Sequence, residues 1–370
     1  MSINEIIVYI MVVFMALGAL DKCFGNKFGL GEKFDEGFMA MGSLAIAMVG
    51  VVSLAPVLAK VLKPIVVPVY TLLGADPSMF ATTLLACDMG GYPLALELAQ
   101  TKEAGLFAGL ILGSMMGPTI VFTIPVALGI INKEDHKFLA SGVLAGMITI
   151  PLGCFVGGLV AGYDIAMIIS NLIPIIIVAV LIAIGLWKIP NKMISGFNTF
   201  GKGVVIVITL ATAAIIIETL TGFVVIPGMA PISDGISIIG SIAIMLCGAF
   251  PMVYFITKVF KKPLLQLGKM LGMNDVSAAG MVATLANNIP MFGLMKDMDD
   301  RGKVLNVAFA VSAAFVFGDH LGFTAGVNRE MIFPMIVGKL VAGITAIIVA
   351  SLIAPKSSLS TETSGKKQSA

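Results

Sequence analysis

Several polar residues lie inside long apolar runs, and their types suit the binding of a small cation. Asp88 stands in Leu84-Leu85-Ala86-Cys87-Asp88-Met89-Gly90-Gly91-Tyr92-Pro93, and Asn287 and Asn288 in Ala286-Asn287-Asn288-Ile289-Pro290. Asp319 and His320 stand in Phe317-Gly318-Asp319-His320-Leu321-Gly322-Phe323, and Thr119 follows Met115-Met116-Gly117-Pro118. A carboxylate at membrane depth costs roughly 2.5–3.5 kcal/mol on insertion scales, which makes it a functional candidate by default. Such a group could hold an ammonium, with amides and the Thr119 hydroxyl contacting a polar tail. A histidine beside a carboxylate could relay a proton or gate with pH. Tyr92, Phe122, Phe292 and Phe323 could offer cation–π faces or simply pack. The same polar residues could instead tie helices together by hydrogen bonds, and the residue types alone leave both readings open.

The elements that carry them must be membrane helices. The 370 residues are 58% hydrophobic and 12% charged, against about 25% charged in a soluble domain. Mean hydropathy is +1.04. This excludes an ordinary cytosolic enzyme, a nucleic-acid binder and a disordered chain. No Asp, Glu, Lys or Arg occurs in 37–59, 104–132, 138–163, 165–187, 235–257 or 276–295, and about 20 apolar residues span a bilayer as a helix. Weaker candidates are 6–20, 77–99, 203–223, 304–326 and 331–354. The expectation is an all-α polytopic membrane protein of about eleven segments, since lipid offers the backbone no partners. Segment 6–20 has no Lys or Arg before it and no small-residue cleavage site, so it reads as a retained span. Glycine and proline beside Asp88, Asn288 and Thr119 predict helices broken near the bilayer midplane.

The chain also repeats itself. Met41-Gly42-Ser43-Leu44-Ala45-Ile46 returns as Ile239-Gly240-Ser241-Ile242-Ala243-Ile244, Lys63-Pro64 as Lys262-Pro263, and Leu85-Ala86-Cys87-Asp88-Met89 faces Leu285-Ala286-Asn287-Asn288-Ile289. Gly142-Val143-Leu144-Ala145-Gly146 answers Gly338 to Gly343 with one insertion. The offset stays near 200 residues. The expected division is a first repeat at 1–162, a linking span and basic loop at 163–199, a second repeat at 200–355 and a disordered polar tail at 356–370. Transporters place their substrate sites between such repeats. If every segment crosses, the halves share one orientation and basic clusters at 60–63, 133–137, 188–202 and 258–269 put the N-terminus in the cytoplasm. The loops at 21–36 and 296–303 fit that arrangement poorly. Re-entry of 77–99 and 276–295 would instead permit inverted repeats.

Other chemistries find little support. Cys23, Cys87, Cys154 and Cys247 form no C-x-x-C pair, so no metal, disulfide or other cofactor is expected. The Gly318-Asp319 pair faintly suggests an intramembrane aspartyl protease, but Val316 stands where the first glycine of G-x-G-D belongs. No H-E-x-x-H is present, and enzyme activity is not expected.

Several long runs resemble the bacterial ethanolamine utilisation membrane protein family, which is ethanolamine permease-like. They are Glu36 to Gly42, Pro77 to Gly91, Met116 to Phe122, Ala278 to Gly293 and Gly318 to Phe323, within a similarity from Asn4 to about Pro355. The resemblance implies facilitated uptake of ethanolamine across the bacterial cytoplasmic membrane for its catabolism. The lipid bilayer and the amine are then the expected partners, with no nucleic acid, and homo-oligomerisation is left open. An ion-coupled transporter or a channel for another small cation or amine is the alternative. The resemblance assigns no binding residues. The candidates Asp88, Tyr92, Thr119, Asn287, Asn288, Asp319 and His320 rest on their own chemistry, with Asp88 or Asp319 for the ammonium and Thr119, Asn287 or Asn288 for the hydroxyl.

Overall fold

The structure is a computed structural model and describes residues 1–356, apart from the side chains of residues 260, 261, 264 and 267. All regular structure among the described residues is helical, as a chain with no hydrogen-bond partners in lipid requires. The tail expected to be disordered lies, beyond Lys356, outside the described residues. In chain order the helices are α1 (Ile3–Cys23), α2 (Leu30–Leu72), α3 (Ser78–Leu84), α4 (Gly91–Leu98), α5 (Lys102–Ile130), α6 (His136–Val160) and α7 (Ile165–Lys188). They continue with α8 (Pro190–Thr221), α9 (Ile232–Met270), α10 (Asp275–Thr284), α11 (Asn288–Leu294), α12 (Asp300–Ala313), α13 (Asp319–Val327) and α14 (Ile332–Ile353).

Eight of these helices, α1, α2, α5 to α9 and α14, are long and apolar enough to cross a membrane. Expected segments 77–99, 276–295 and 304–326 are instead interrupted helix pairs: α3–α4, α10–α11 and α12–α13. The first two double back. The Asp76 carboxylate accepts from the Ser78 N–H at 2.8 Å and the Gln100 N–H at 2.9 Å, so the chain leaves and returns at one place. The Asp299 carboxylate accepts from the Asn274 N–H and the Ser277 hydroxyl, each at 2.8 Å, and closes α10–α11 in the same way. Both pairs are therefore hairpins whose tips, near Asp88 and Asn288, enter the helix bundle.

The α12–α13 pair differs, because its ends belong to opposite groups of contacts. One group joins the start of α1 to the start of α14 (Asn4 Nδ2 to the Glu330 carbonyl, 2.9 Å), α3 to α7 (Asp76 N–H to Asn171 Oδ1, 2.7 Å) and Tyr163 to Met331. The other joins the start of α12 to the start of α6 (Lys303 to Asp135, 2.7 Å) and Arg301 to the carbonyls of Leu271 and Pro355.

Two pairs of long helices run antiparallel. Along α2 and α9, Gly37 lies against Cys247 while Gly235 lies against Val49. Along α6 and α14, the Thr149 hydroxyl donates to the Ala342 carbonyl at 3.0 Å while Gly157 meets Pro334. Glycine in these seams lets backbones approach closely enough for dispersion to hold helices in lipid.

The breaks settle against one another. Phe315 and Phe317 lack helical acceptors and donate to the Thr284 and Leu285 carbonyls of the second hairpin, at 3.2 and 3.0 Å. Irregular backbone at membrane depth is tolerated only when protein supplies such partners. Gly318 packs on the Ala286 carbonyl and Gly117, in α5, on the Leu85 carbonyl; neither leaves room for a Cβ. Around Gly117-Pro118, α5 loosens into wide π turns at Phe107–Ile111 and Thr119–Thr123, a feature frequent at functional sites.

Candidate functional site

The breaks converge on a small cavity in which Asp88 and Asp319 are partly buried and His320 is buried. Gly90, with φ of +92°, ends the turn that carries Asp88 and starts α4. This turn brings Asp88 beside the first residues of α13, Asp319 and His320. Together with Ala86, Met89, Pro118, Phe122 and Phe315 they line a cavity of about 40 Å³. A water needs about 10–15 Å³ on a comparable measure, so the space suits a very small molecule. Among the described residues no Lys, Arg or His nitrogen pairs with either carboxylate within 4.0 Å.

Aromatic rings close the cavity. The Phe315 ring lies 5.2 Å from that of His320 and 5.6 Å from that of Phe122. Phe315 has φ of +64°, a conformation rare for a bulky side chain and of a kind that clusters at functional sites. The hydrogen bond from its backbone N–H to the Thr284 carbonyl holds it there.

Behind His320 stands Lys339 of α14, only 1% exposed. Its Nζ donates to the Ser114 carbonyl of α5 and lies 3.0 Å from His320 Nδ1. An ammonium has donors only, so with Lys339 protonated Nδ1 is the acceptor and the ring proton belongs on Nε2. Cys87, Asp88 and His320 place one ligand atom each within 4.8 Å of one another, a grouping that could hold a metal ion. The ammonium in contact with Nδ1 disfavours the imidazole as a metal ligand, because it leaves the ring in the tautomer whose Nε2 carries hydrogen.

Asp319 also lines a larger vestibule of about 670 Å³, with Lys33, Glu36, Tyr254, Lys258, Asn287 and Pro290 among its other walls. The vestibule thus reaches the charged cavity at Asp319.

The sequence candidates are divided by this arrangement. Asp88, Asp319 and His320 share the cavity. Asn287 lines the vestibule and caps α11, accepting from the Ile289 N–H at 2.8 Å. Asn288 is buried at the second hairpin tip and donates to the Thr123 hydroxyl at 3.0 Å. Thr119 spends its hydroxyl on the Met115 and Val311 carbonyls, at 2.9 and 3.0 Å. Tyr92 stacks edge-on against Phe323, with centroids 5.6 Å apart. Sequence reasoning missed Lys339 as a site residue. Its signal was a single lysine within the apolar run Ile332 to Ile353.

The architecture defines a multi-pass helical membrane protein with a charged cavity enclosed between broken helices. The chain belongs to the family described as "Ethanolamine utilisation protein, EutH", whose profile matches residues 3–353. It is 71% identical, over 94% of both chains, to a protein of Listeria monocytogenes named "Probable ethanolamine permease EutH". An Escherichia coli protein of the same name is 55% identical over the whole of both chains. A Bacillus subtilis protein named "Uncharacterized protein YxeR" is also 55% identical, over 97% of each. No solved structure matches the chain. Its place is the bacterial cell membrane.

Proposed function

We propose that the protein is a carrier rather than an enzyme, and that it moves ethanolamine, as the ammonium ion, into the cell through the cavity at Asp88 and Asp319. The observation that carries this reading is the pairing of two carboxylates with aromatic walls in a space of about 40 Å³. An ammonium donates to carboxylates and is attracted to ring faces. The His320 Nε2–H remains to donate to the hydroxyl oxygen of the same ligand. The names of the relatives from Listeria monocytogenes and Escherichia coli support the choice of amine. An inside-negative potential favours cation entry by about 2.3 kcal/mol per 100 mV, so no coupling ion is required.

The route follows from the hairpins. With α3–α4 and α10–α11 doubling back, five long helices separate the start of α1 from the start of α8, and the two halves run in opposite directions. The antiparallel pairing of α2 with α9 and of α6 with α14 supports such inverted repeats, which rock around a midplane site in many carriers. This arrangement gathers Lys22, Lys27, Lys33, Lys133, Lys137, Lys188, Lys192, Arg301 and Lys303 on one face, which the positive-inside rule assigns to the cytoplasm. The N-terminus then lies outside, and the vestibule at Lys33 and Lys258 opens inward.

Labelled ethanolamine uptake into proteoliposomes under imposed voltage tests the reading. Saturable uptake driven by an inside-negative potential is expected. Voltage-independent uptake, or none above protein-free vesicles, would overturn it.

A further inference from the structure

We infer that Lys339 fixes the charge of the ligand: it is a built-in cation behind the imidazole of a cavity lined by two carboxylates, so the site accepts monoamines and rejects diamines. The inference rests on the carrier reading above and adds a selectivity to it. The ionisable groups lining the cavity are Asp88, Asp319 and His320. Lys339 stands directly behind His320, in contact with Nδ1. His320 stays neutral in this arrangement, because a second positive charge in contact with the ammonium is repelled at low dielectric. Two acids against one base leave a formal charge of minus one. A monocation completes neutrality, the state a largely dehydrated site favours, since an uncompensated charge shielded from water is costly.

A diamine fails on two grounds. Its second ammonium leaves the filled site positive. It also meets donors rather than acceptors on the lysine side of the cavity, where His320 offers only Nε2–H. The Lys339 contacts themselves need a partner on each side: Ser114 lies in the short tight turn Leu112–Ser114 of α5, and its carbonyl is spare because Pro118, four residues on, has no N–H to donate. The lysine is thus held by backbone and imidazole, leaving both carboxylates to the ligand. A purely structural Lys339, tying α14 to α5, would affect all ligands alike.

The test uses full-length protein in proteoliposomes and measures how unlabelled ethanolamine and 1,3-diaminopropane inhibit labelled ethanolamine uptake. In the wild type the diamine is expected to be weaker by about tenfold or more. Lys339→Met should shift the ratio by about tenfold or more toward the diamine, and Lys339→Arg should preserve the wild-type order. The double variant Lys339→Met with Asp319→Asn restores the charge and should restore the preference for the monoamine. An unchanged ratio in Lys339→Met, or a double variant that still favours the diamine, would overturn the inference. If Lys339→Met transports nothing, thermal stabilisation of the purified variant by each amine reads the same ratio. Failure of both the single and double variants to fold would mark the lysine as a tie and also overturn it. A wild type that takes up no ethanolamine yet is stabilised by monoamines over diamines would sink the ethanolamine reading alone.

Discussion

Asp88 and Asp319 come from separate breaks, some 230 residues apart in the chain, yet line one cavity. In the proposed site each supplies a charge-assisted hydrogen bond, worth about 1.5–3 kcal/mol. Asp88→Asn and Asp319→Asn should therefore each slow ethanolamine uptake by about tenfold or more, with normal amounts of protein in the membrane. Wild-type rates in either variant would remove that residue from the route. These acids were legible because charge in an apolar run is expensive. Lys339 was not, because a lysine seven residues into a helix can be read as reaching toward the interface along its flexible stem. Only the fold shows that α5 and α13 bury it. Thr119 shows the converse: a hydroxyl suited to a ligand is used instead by carbonyls, one of them on α12.

At the scale of elements, the two acid clasps decide what the hairpins are. Asp76→Ala removes acceptors for the Ser78 and Gln100 amides and should cost about 1–3 kcal/mol. The expected signature is a lower Tm with faster hydrogen exchange confined to about 76–100; exchange unchanged there would refute the clasp. Gly318→Val should be severe for another reason, since its side chain would collide with the Ala286 carbonyl. Loss of uptake together with a lowered Tm is expected, and a Val variant of native stability would show that the hairpin docks differently. Glycine and proline made the breaks legible in advance. Re-entry was not, because a hairpin dipping into the bundle and a helix crossing it have the same hydropathy. The deciding contact, Asp76 with Gln100, joins residues at the two ends of the segment.

For the whole molecule, re-entry reverses the orientation expected if every segment crosses. Crossing by every segment would place the loop at 21–36 outside; two hairpins place it inside, with the basic residues it carries. Cys23 is exposed in that loop and reports directly. A membrane-impermeant maleimide should leave it unlabelled in intact cells and label it in inside-out vesicles, whereas labelling in intact cells would restore the opposite orientation. The membrane class was legible from charge alone, since 12% cannot coat a soluble fold of this length. The pairing of α2 with α9 was not, because a similarity between two segments carries no information about their direction.

The charged cavity is much smaller than the vestibule it meets at Asp319. A site so much narrower than the mouth beside it holds one ligand at a time and, in a carrier, must be filled and emptied in turn, like a turnstile. Its kinetics should then remember what stands on the far side. Vesicles loaded with unlabelled ethanolamine should draw in tracer faster than empty ones, and briefly above its outside concentration, as each departing molecule returns the site to face its successor. A continuous pore would let tracer do no more than equalise.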